Sequence, residues 1–277
     1  MDSTLNLSTL KAIIIDIDGT LWRGDLPLPG LSLFFAFLKK QRISFVIATN
    51  NTTETPTQYR QKLADFGVSI KLNQVFTGAV ATAAYLKSQY PAGAKIYAIG
   101  LNSLHLALHN AGFVLLKNVD TQADVVVIGG DPTLTYTKLK YAALHVQRGA
   151  QFVGTNPDLL VPTEEGLIPE AGTTLVAIKA ATGVSPTVIG KPNRTLFEMA
   201  LAQMGSSPAQ TAMLGDRLET DILGGQRVGL KTILVTTGVD NETTIAQKGI
   251  LPDAVFSGLD TLTCAWQAQI DSSPVHR

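Results

Sequence analysis

Asp16 and Asp18 stand at i and i+2 in the run Asp16-Ile17-Asp18-Gly19-Thr20, and a second acidic pair, Asp216 and Asp221, lies in Gly215-Asp216-Arg217-Leu218-Glu219-Thr220-Asp221. Each pair directly follows a short apolar run, residues 12–15 and 211–214. Carboxylates crowded at a strand end repel one another and need a cation or a shared proton. A hard divalent cation bound through oxygen meets that need, and magnesium takes one or two carboxylates together with phosphate and water. Asp16 and Asp216 can then coordinate the ion while Asp221 orients a water on it. The plainer alternatives are a solvated turn at the first pair and an ordinary Gly-Asp turn at the second. An EF-hand calcium loop is excluded, because Gly19 comes too early and the closing Glu is missing.

Two further polar groups follow apolar runs. Thr49-Asn50-Asn51 offers a hydroxyl, amides and backbone N–H groups just beyond residues 43–48, which suits a phosphate. Gly190-Lys191-Pro192 adds an ammonium that can neutralise phosphoryl oxygens. Singly, each serves equally well as a helix N-cap or a surface lysine. Together the four sites make an anion-and-metal site the better reading.

The elements that must position them are legible from periodicity. Residues 12–15, 43–48, 187–189, 211–214 and 231–235 are continuous apolar runs, which suit strands covered on both faces. Helical patterns occupy 31–40, 58–66, 195–204 and 220–228, and Gly67, Gly205 and Gly229 fall where three of them need a left-handed residue to end. This alternation predicts an α/β fold, a doubly wound parallel sheet, whose ligands bind at the C-terminal strand edge. Residues 79–185 repeat the α/β style alone, with strands expected at 95–99, 124–128 and 151–153 and a helix at 134–147. They contain none of the four motifs. The expected organisation is therefore a core in two parts, 1–78 and 186–277, interrupted by an inserted α/β lobe over 79–185.

The chain has 277 residues and a formal net charge of zero, without a long charged run. That argues against a general nucleic-acid or membrane-surface binder, whose affinity needs clustered Lys and Arg. No apolar stretch is long enough for a membrane span, and the first residues lack the pattern of a signal peptide, so a cytoplasmic location is expected. Cys264 is the only cysteine and reads as a small, mostly buried apolar residue near a helical C-terminus. The four histidines show no metal-ligand spacing; His105 and His109, at i and i+4, lack a third ligand.

In order along the chain, Asp-x-Asp-Gly-Thr, Thr-Asn, Gly-Lys-Pro and Gly-Asp-x-x-x-Thr-Asp resemble the four signatures of phosphatases in the haloacid dehalogenase (HAD) superfamily. The longer strings Gly19-Thr20-Leu21-Trp22-Arg23-Gly24-Asp25, then Pro29-Gly30, extend the likeness to the branch containing NagD, 4-nitrophenylphosphatase and phosphoglycolate phosphatase. The resemblance covers residues 11–262. It implies a Rossmann-like core with a large α/β cap between the second and third motifs, where the inserted lobe falls. It also implies Asp16 as nucleophile, Asp18 as general acid and then base, and Mg²⁺ held by Asp16, the Asp18 carbonyl and Asp216. Thr49, Asn50, Asn51 and Lys191 would hold the transferring group.

The partner so implied is a small phosphorylated metabolite such as a sugar phosphate, phosphoglycolate, a nucleoside monophosphate or an aryl phosphate; a homodimer through the cap is a further expectation. Thr155-Asn156-Pro157-Asp158 resembles the cap loop that meets substrate in this branch, which makes Asn156 and Asp158 candidates for substrate contact against the alternative of an ordinary turn. Glu170, in Gly166-Leu167-Ile168-Pro169-Glu170-Ala171-Gly172, departs from the Pro-Gly-x-Gly pattern of many relatives. Val161 replaces the histidine that tends to accompany action on pyridoxal phosphate, which weighs against that substrate. A phosphotransferase or phosphomutase on the same fold, or a non-catalytic ligand-binding relative, are the alternatives.

Overall fold

The computed structural model describes residues 5–163 and 165–272. The chain divides into two compact units, one formed by the segment up to Thr49, Pro56–Phe76 and the chain from Phe197 onward, the other by Asn50–Thr55 and Thr77–Leu196.

The first unit is built on a six-stranded sheet in the order Ala254–Phe256, Lys231–Val235, Thr211–Gly215, Ala12–Ile15, Ser44–Thr49, Val75–Thr77. Ala12–Ile15 is buried along its whole length, as a strand covered on both faces must be. It runs parallel to both neighbours, with Ile15 opposite Leu214 on one side and Ile47 on the other. From Ala12–Ile15 the chain winds outward to Ser44–Thr49 and Val75–Thr77, then returns and winds the other way from Thr211–Gly215. The order reverses between Ala12–Ile15 and Thr211–Gly215, and the C-terminal strand ends at such a reversal are where open α/β sheets bind ligands. Leu31–Lys40 lays Phe34, Phe35 and Leu38 into the core, and Leu259–Ser272 adds Leu262 and Trp266. Phe37 meets Trp266 edge-on at 5.5 Å between ring centroids.

The second unit carries its own five-stranded sheet, Thr187–Val188, Gln151–Gly154, Val125–Ile128, Lys95–Ile99, Val114–Leu116, with every neighbouring pair parallel. Ile99, Val126, Ile128, Phe152, Leu175 and Ile178 pack its core. A hairpin, Leu160–Thr163 against Gly166–Pro169, leads into the helix Ala171–Thr182.

Gly67, Gly205 and Gly229 take φ of 80°, 62° and 79°, the left-handed values their places after helices require. Three details differ from the sequence reading. Residues 187–189 belong to the sheet of the second unit, because Thr187 pairs with Val153 and the ladder continues through Ile189 N–H to the Gly154 carbonyl. The first compact unit resumes at Phe197. The helix expected over 220–228 is a π-helical turn, Leu218–Ile222, followed by a short α-helix, Leu223–Arg227. Gly224 and Gly225 weaken regular helix there. Cys264 is exposed mid-helix, since the buried face of Leu259–Ser272 is carried by Leu259, Leu262 and Trp266. Among the described residues, no helix is long and apolar enough to cross a membrane.

Candidate active site

Asp16 continues the line of Ala12–Ile15, its N–H donating to the Leu214 carbonyl at 2.8 Å. Past it the chain turns sharply: Gly19 has φ of 80°, and its N–H reaches the Trp22 carbonyl at 2.8 Å. Asp16 is left buried at the strand end, whereas Asp18, two residues on, is exposed. The i, i+2 pair therefore splits into one desolvated and one solvated carboxylate. That division suits a nucleophile beside a group that must exchange protons with water.

Asp216 directly follows the neighbouring strand Thr211–Gly215, and Asp221 returns toward it through the π-helical turn, a local widening that often accompanies functional sites. Oxygens of Asp16, Asp216 and Asp221 all lie within 4.8 Å of one another, and all three residues are buried. Asp216 Oδ2 accepts from the Val239 N–H at 2.8 Å, and Asp221 Oδ2 accepts from the Arg217 N–H at 3.1 Å. Asp216 sits so close to the Gly238 backbone that a side chain there would collide with its carboxylate.

Three desolvated carboxylates in contact are unstable alone. Burial first, then the charges of Asp16 and Asp221, push the Asp216 carboxyl from 3.8 up to about 8, against the opposing pull of the Val239 N–H and Arg217. Asp216 Oδ1 is buried without a hydrogen-bond partner among the described residues. A close-set group of hard oxygen donors with an unsatisfied buried atom fits a small divalent cation.

Sequence reasoning missed Asp240 and Lys248. Asp240 is buried, its Oδ2 accepting from the Leu218 N–H and its Oδ1 from Lys248 Nζ, both at 2.8 Å, while its own N–H donates to the Asp216 carbonyl at 3.0 Å. Lys248 also bridges to Glu219 at 2.7 Å. These contacts clamp the segment carrying Asp216 and Asp221 from outside. Asp240 follows no apolar run directly, so no periodicity marked it.

Asn50, Lys191, Asn156 and Asp158 form a second cluster, while Thr49 is buried at the end of Ser44–Thr49. Asn50 Nδ2 donates to the Lys191 carbonyl at 2.9 Å and to Asp158 Oδ2 at 3.1 Å. Asn156 Nδ2 donates to the Asn50 carbonyl at 3.1 Å. Asn51 Oδ1 accepts from the backbone and hydroxyl of Thr53, both at 2.7 Å, so its side chain shapes the loop. Lys191 is 2% exposed, an unusual depth for a lysine.

Comparison with known proteins matches residues 13–114 to the family described as haloacid dehalogenase-like hydrolase and residues 188–262 to the family described as HAD-hydrolase-like. An acid sugar phosphatase of Staphylococcus aureus is 41% identical over 250 residues, spanning 90% of this chain and 95% of that protein. The solved 4-nitrophenylphosphatase of Thermotoga maritima aligns with a TM-score of 0.89 at 33% identity, over 95% of this chain and 100% of the other. NagD from Escherichia coli K-12 aligns with a TM-score of 0.83 at 31% identity, over 90% and 97% respectively. The chain belongs to the haloacid dehalogenase-like hydrolases, as a phosphatase similar to NagD and the 4-nitrophenylphosphatases.

Proposed function

We propose that this phosphatase hydrolyses small phosphomonoesters with Mg²⁺ through an aspartyl-phosphate on Asp16. The observation that carries the reading is the buried contact of Asp16, Asp216 and Asp221 at the reversal point of the sheet. Asp16, the Asp18 carbonyl and Asp216 would hold the ion, with Asp221 beside them. The bound ion supplies charge neutralisation for the transferring phosphoryl group.

The Asp16 carboxylate attacks phosphorus in line as the bond to the departing oxygen breaks, and exposed Asp18 delivers a proton to that oxygen. Asp18, now a carboxylate, takes a proton from the water that attacks the acyl phosphate, which frees phosphate and restores Asp16. Splitting the displacement this way lets one site serve both halves. The segment Thr49-Asn50-Asn51, by its hydroxyl and backbone N–H groups, and Lys191 hold the phosphoryl group, supplying the positioning and charge stabilisation on which phosphoryl transfer mostly depends. Sugar phosphates head the substrate candidates, because curated relatives at 40–41% identity are acid sugar phosphatases; phosphoglycolate, nucleoside monophosphates and aryl phosphates complete the set.

The test combines phosphate release with the acid's role. Wild type should release inorganic phosphate from such esters, with water as acceptor. Asp18→Asn should lower kcat/KM for alkyl phosphates by roughly 10²–10⁴-fold, the range for one proton donor, and for activated aryl phosphates distinctly less. A good leaving group needs little protonation. Equal losses across leaving-group pKa would remove Asp18 from this role, and transfer to an acceptor without phosphate release would favour a phosphotransferase.

A further inference from the structure

The second unit holds a chain of hydrogen bonds that runs between two residues assigned above to the phosphoryl group. Asn156 is 1% exposed. Its Nδ2 donates to the Asn50 carbonyl at 3.1 Å and also to the Glu170 carboxylate, while its Oδ1 accepts from the Asp158 N–H at 3.0 Å. Both amide hydrogens are therefore committed to protein acceptors. Asp158 Oδ2 in turn accepts from Asn50 Nδ2 at 3.1 Å, and Asn50 Nδ2 also reaches the Lys191 carbonyl at 2.9 Å. The loop 155–158 thus ties the residue next after Ser44–Thr49 to the main chain of Lys191.

Glu170 stands at the far end of this chain. A Cβ on Gly130 would lie 2.5 Å from Glu170 Oε1 and 2.9 Å from Oε2, so only glycine leaves the carboxylate its place. The Ala171 N–H donates to it as well. Burial raises the Glu170 carboxyl above its ordinary value, with the Asp158 charge adding, while the bonds from Asn156 and Ala171 oppose. A carboxylate kept partly out of water beside a second acid has to be held by donors, and Asn156 is the side chain that holds it.

A side chain that reads a substrate keeps polar atoms open to it. Asn156 has both donors engaged, and its geometry is set from two sides by Glu170 and Asp158. We infer that Asn156 and Glu170 are positioning residues, which fix Asn50 and the Lys191 main chain and so place the phosphoryl-holding groups without reading the leaving group. This rests on the proposed phosphatase reaction. It also gives Glu170 its task, that of a hydrogen-bond acceptor behind the loop.

The experiment measures kcat and KM of Asn156→Ala, Glu170→Ala, Glu170→Gln and the double alanine variant. Substrates are acetyl phosphate, an aryl phosphate and a sugar phosphate, and melting curves check folding. Small misplacements of reacting groups cost up to about 10²-fold. Both alanine variants should therefore lose roughly 10–10²-fold in kcat by one common factor, acetyl phosphate included, and inhibition by inorganic phosphate should weaken. Glu170→Gln retains an acceptor for Asn156 Nδ2 and should stay within about threefold of wild type. The double variant should lose no more than the worse single one, as residues of one chain do. Losses that spare acetyl phosphate, losses that multiply in the double variant, or activity unchanged in both alanine variants would overturn the inference. Failure of the underlying reaction would look different: wild type inert toward every ester, or Asp16→Asn as active as wild type.

Discussion

Asp16→Asn should lower kcat by roughly 10⁴-fold or more, the scale on which loss of a covalent nucleophile is felt in other hydrolases. The amide oxygen is a far weaker nucleophile and a poorer ligand, so attack and metal binding suffer together. The fold should survive, since the Asp16 N–H that extends the ladder to Leu214 is kept. Stability without metal should rise. The Asp16 charge is one of two that repel Asp216, and the substitution removes it from a buried cluster. Each kcal/mol of relieved repulsion should raise Tm in chelator by about 2–4 °C. Steady-state kinetics and a melting curve on the same preparation check both halves. An inactive variant that melts lower than wild type would point to simple misfolding.

Removing the metal is the second large effect. Chelation should abolish turnover and Mg²⁺ should restore it; saturation at 100 times Kd should add about 2.7 kcal/mol of stability. The pH dependence has a definite sign. Asp216 is raised in the folded, metal-free protein from 3.8 to about 8, so across that window the folded state binds more protons than the unfolded one. Stability in chelator should therefore fall as pH rises from about 4 to about 8, then level off. Metal binding requires the carboxylate, so Mg²⁺ affinity should climb over the same window with release of a proton. Titration calorimetry in two buffers of different ionisation enthalpy measures that proton. Full activity in chelator, or apo stability that rises through this range, would contradict the account.

The four polar sites at strand ends were legible because a buried parallel strand is a bare apolar run, and whatever follows it stands at the ligand-binding edge. Asp16 after Ala12–Ile15 and Asp216 after the run 211–214 were legible as a site only together, since each alone reads equally as a turn. Sheet membership was not legible in the same way. Residues 187–189 satisfy the criterion for a buried strand, but only hydrogen bonding shows that Thr187 pairs with Val153 and not with a strand of the six-stranded sheet. Asp240 and Lys248 were hidden for a related reason. Their work depends on contacts with Leu218 and Glu219, more than twenty residues away in sequence, which no local spacing encodes. Asn156 shows the limit most clearly. Its residue type and loop suited substrate contact, and only its bonds to Asn50, Asp158 and Glu170 support another role. The π-helical turn at Leu218–Ile222 defeated the helical period because it is built to return Asp221 to Asp216.

In the proposed reaction Asp16 carries the phosphoryl group between two half-reactions. Acid quench during turnover of a rapidly cleaved aryl phosphate, followed by peptide mapping under conditions that preserve acyl phosphates, tests it most directly. One phosphorylated peptide is expected, with the group on Asp16, absent from Asp16→Asn and lost on treatment with hydroxylamine. A phosphoryl group on any other residue, or turnover by wild type with no trapped intermediate under any quench and retained activity in Asp16→Asn, would contradict it.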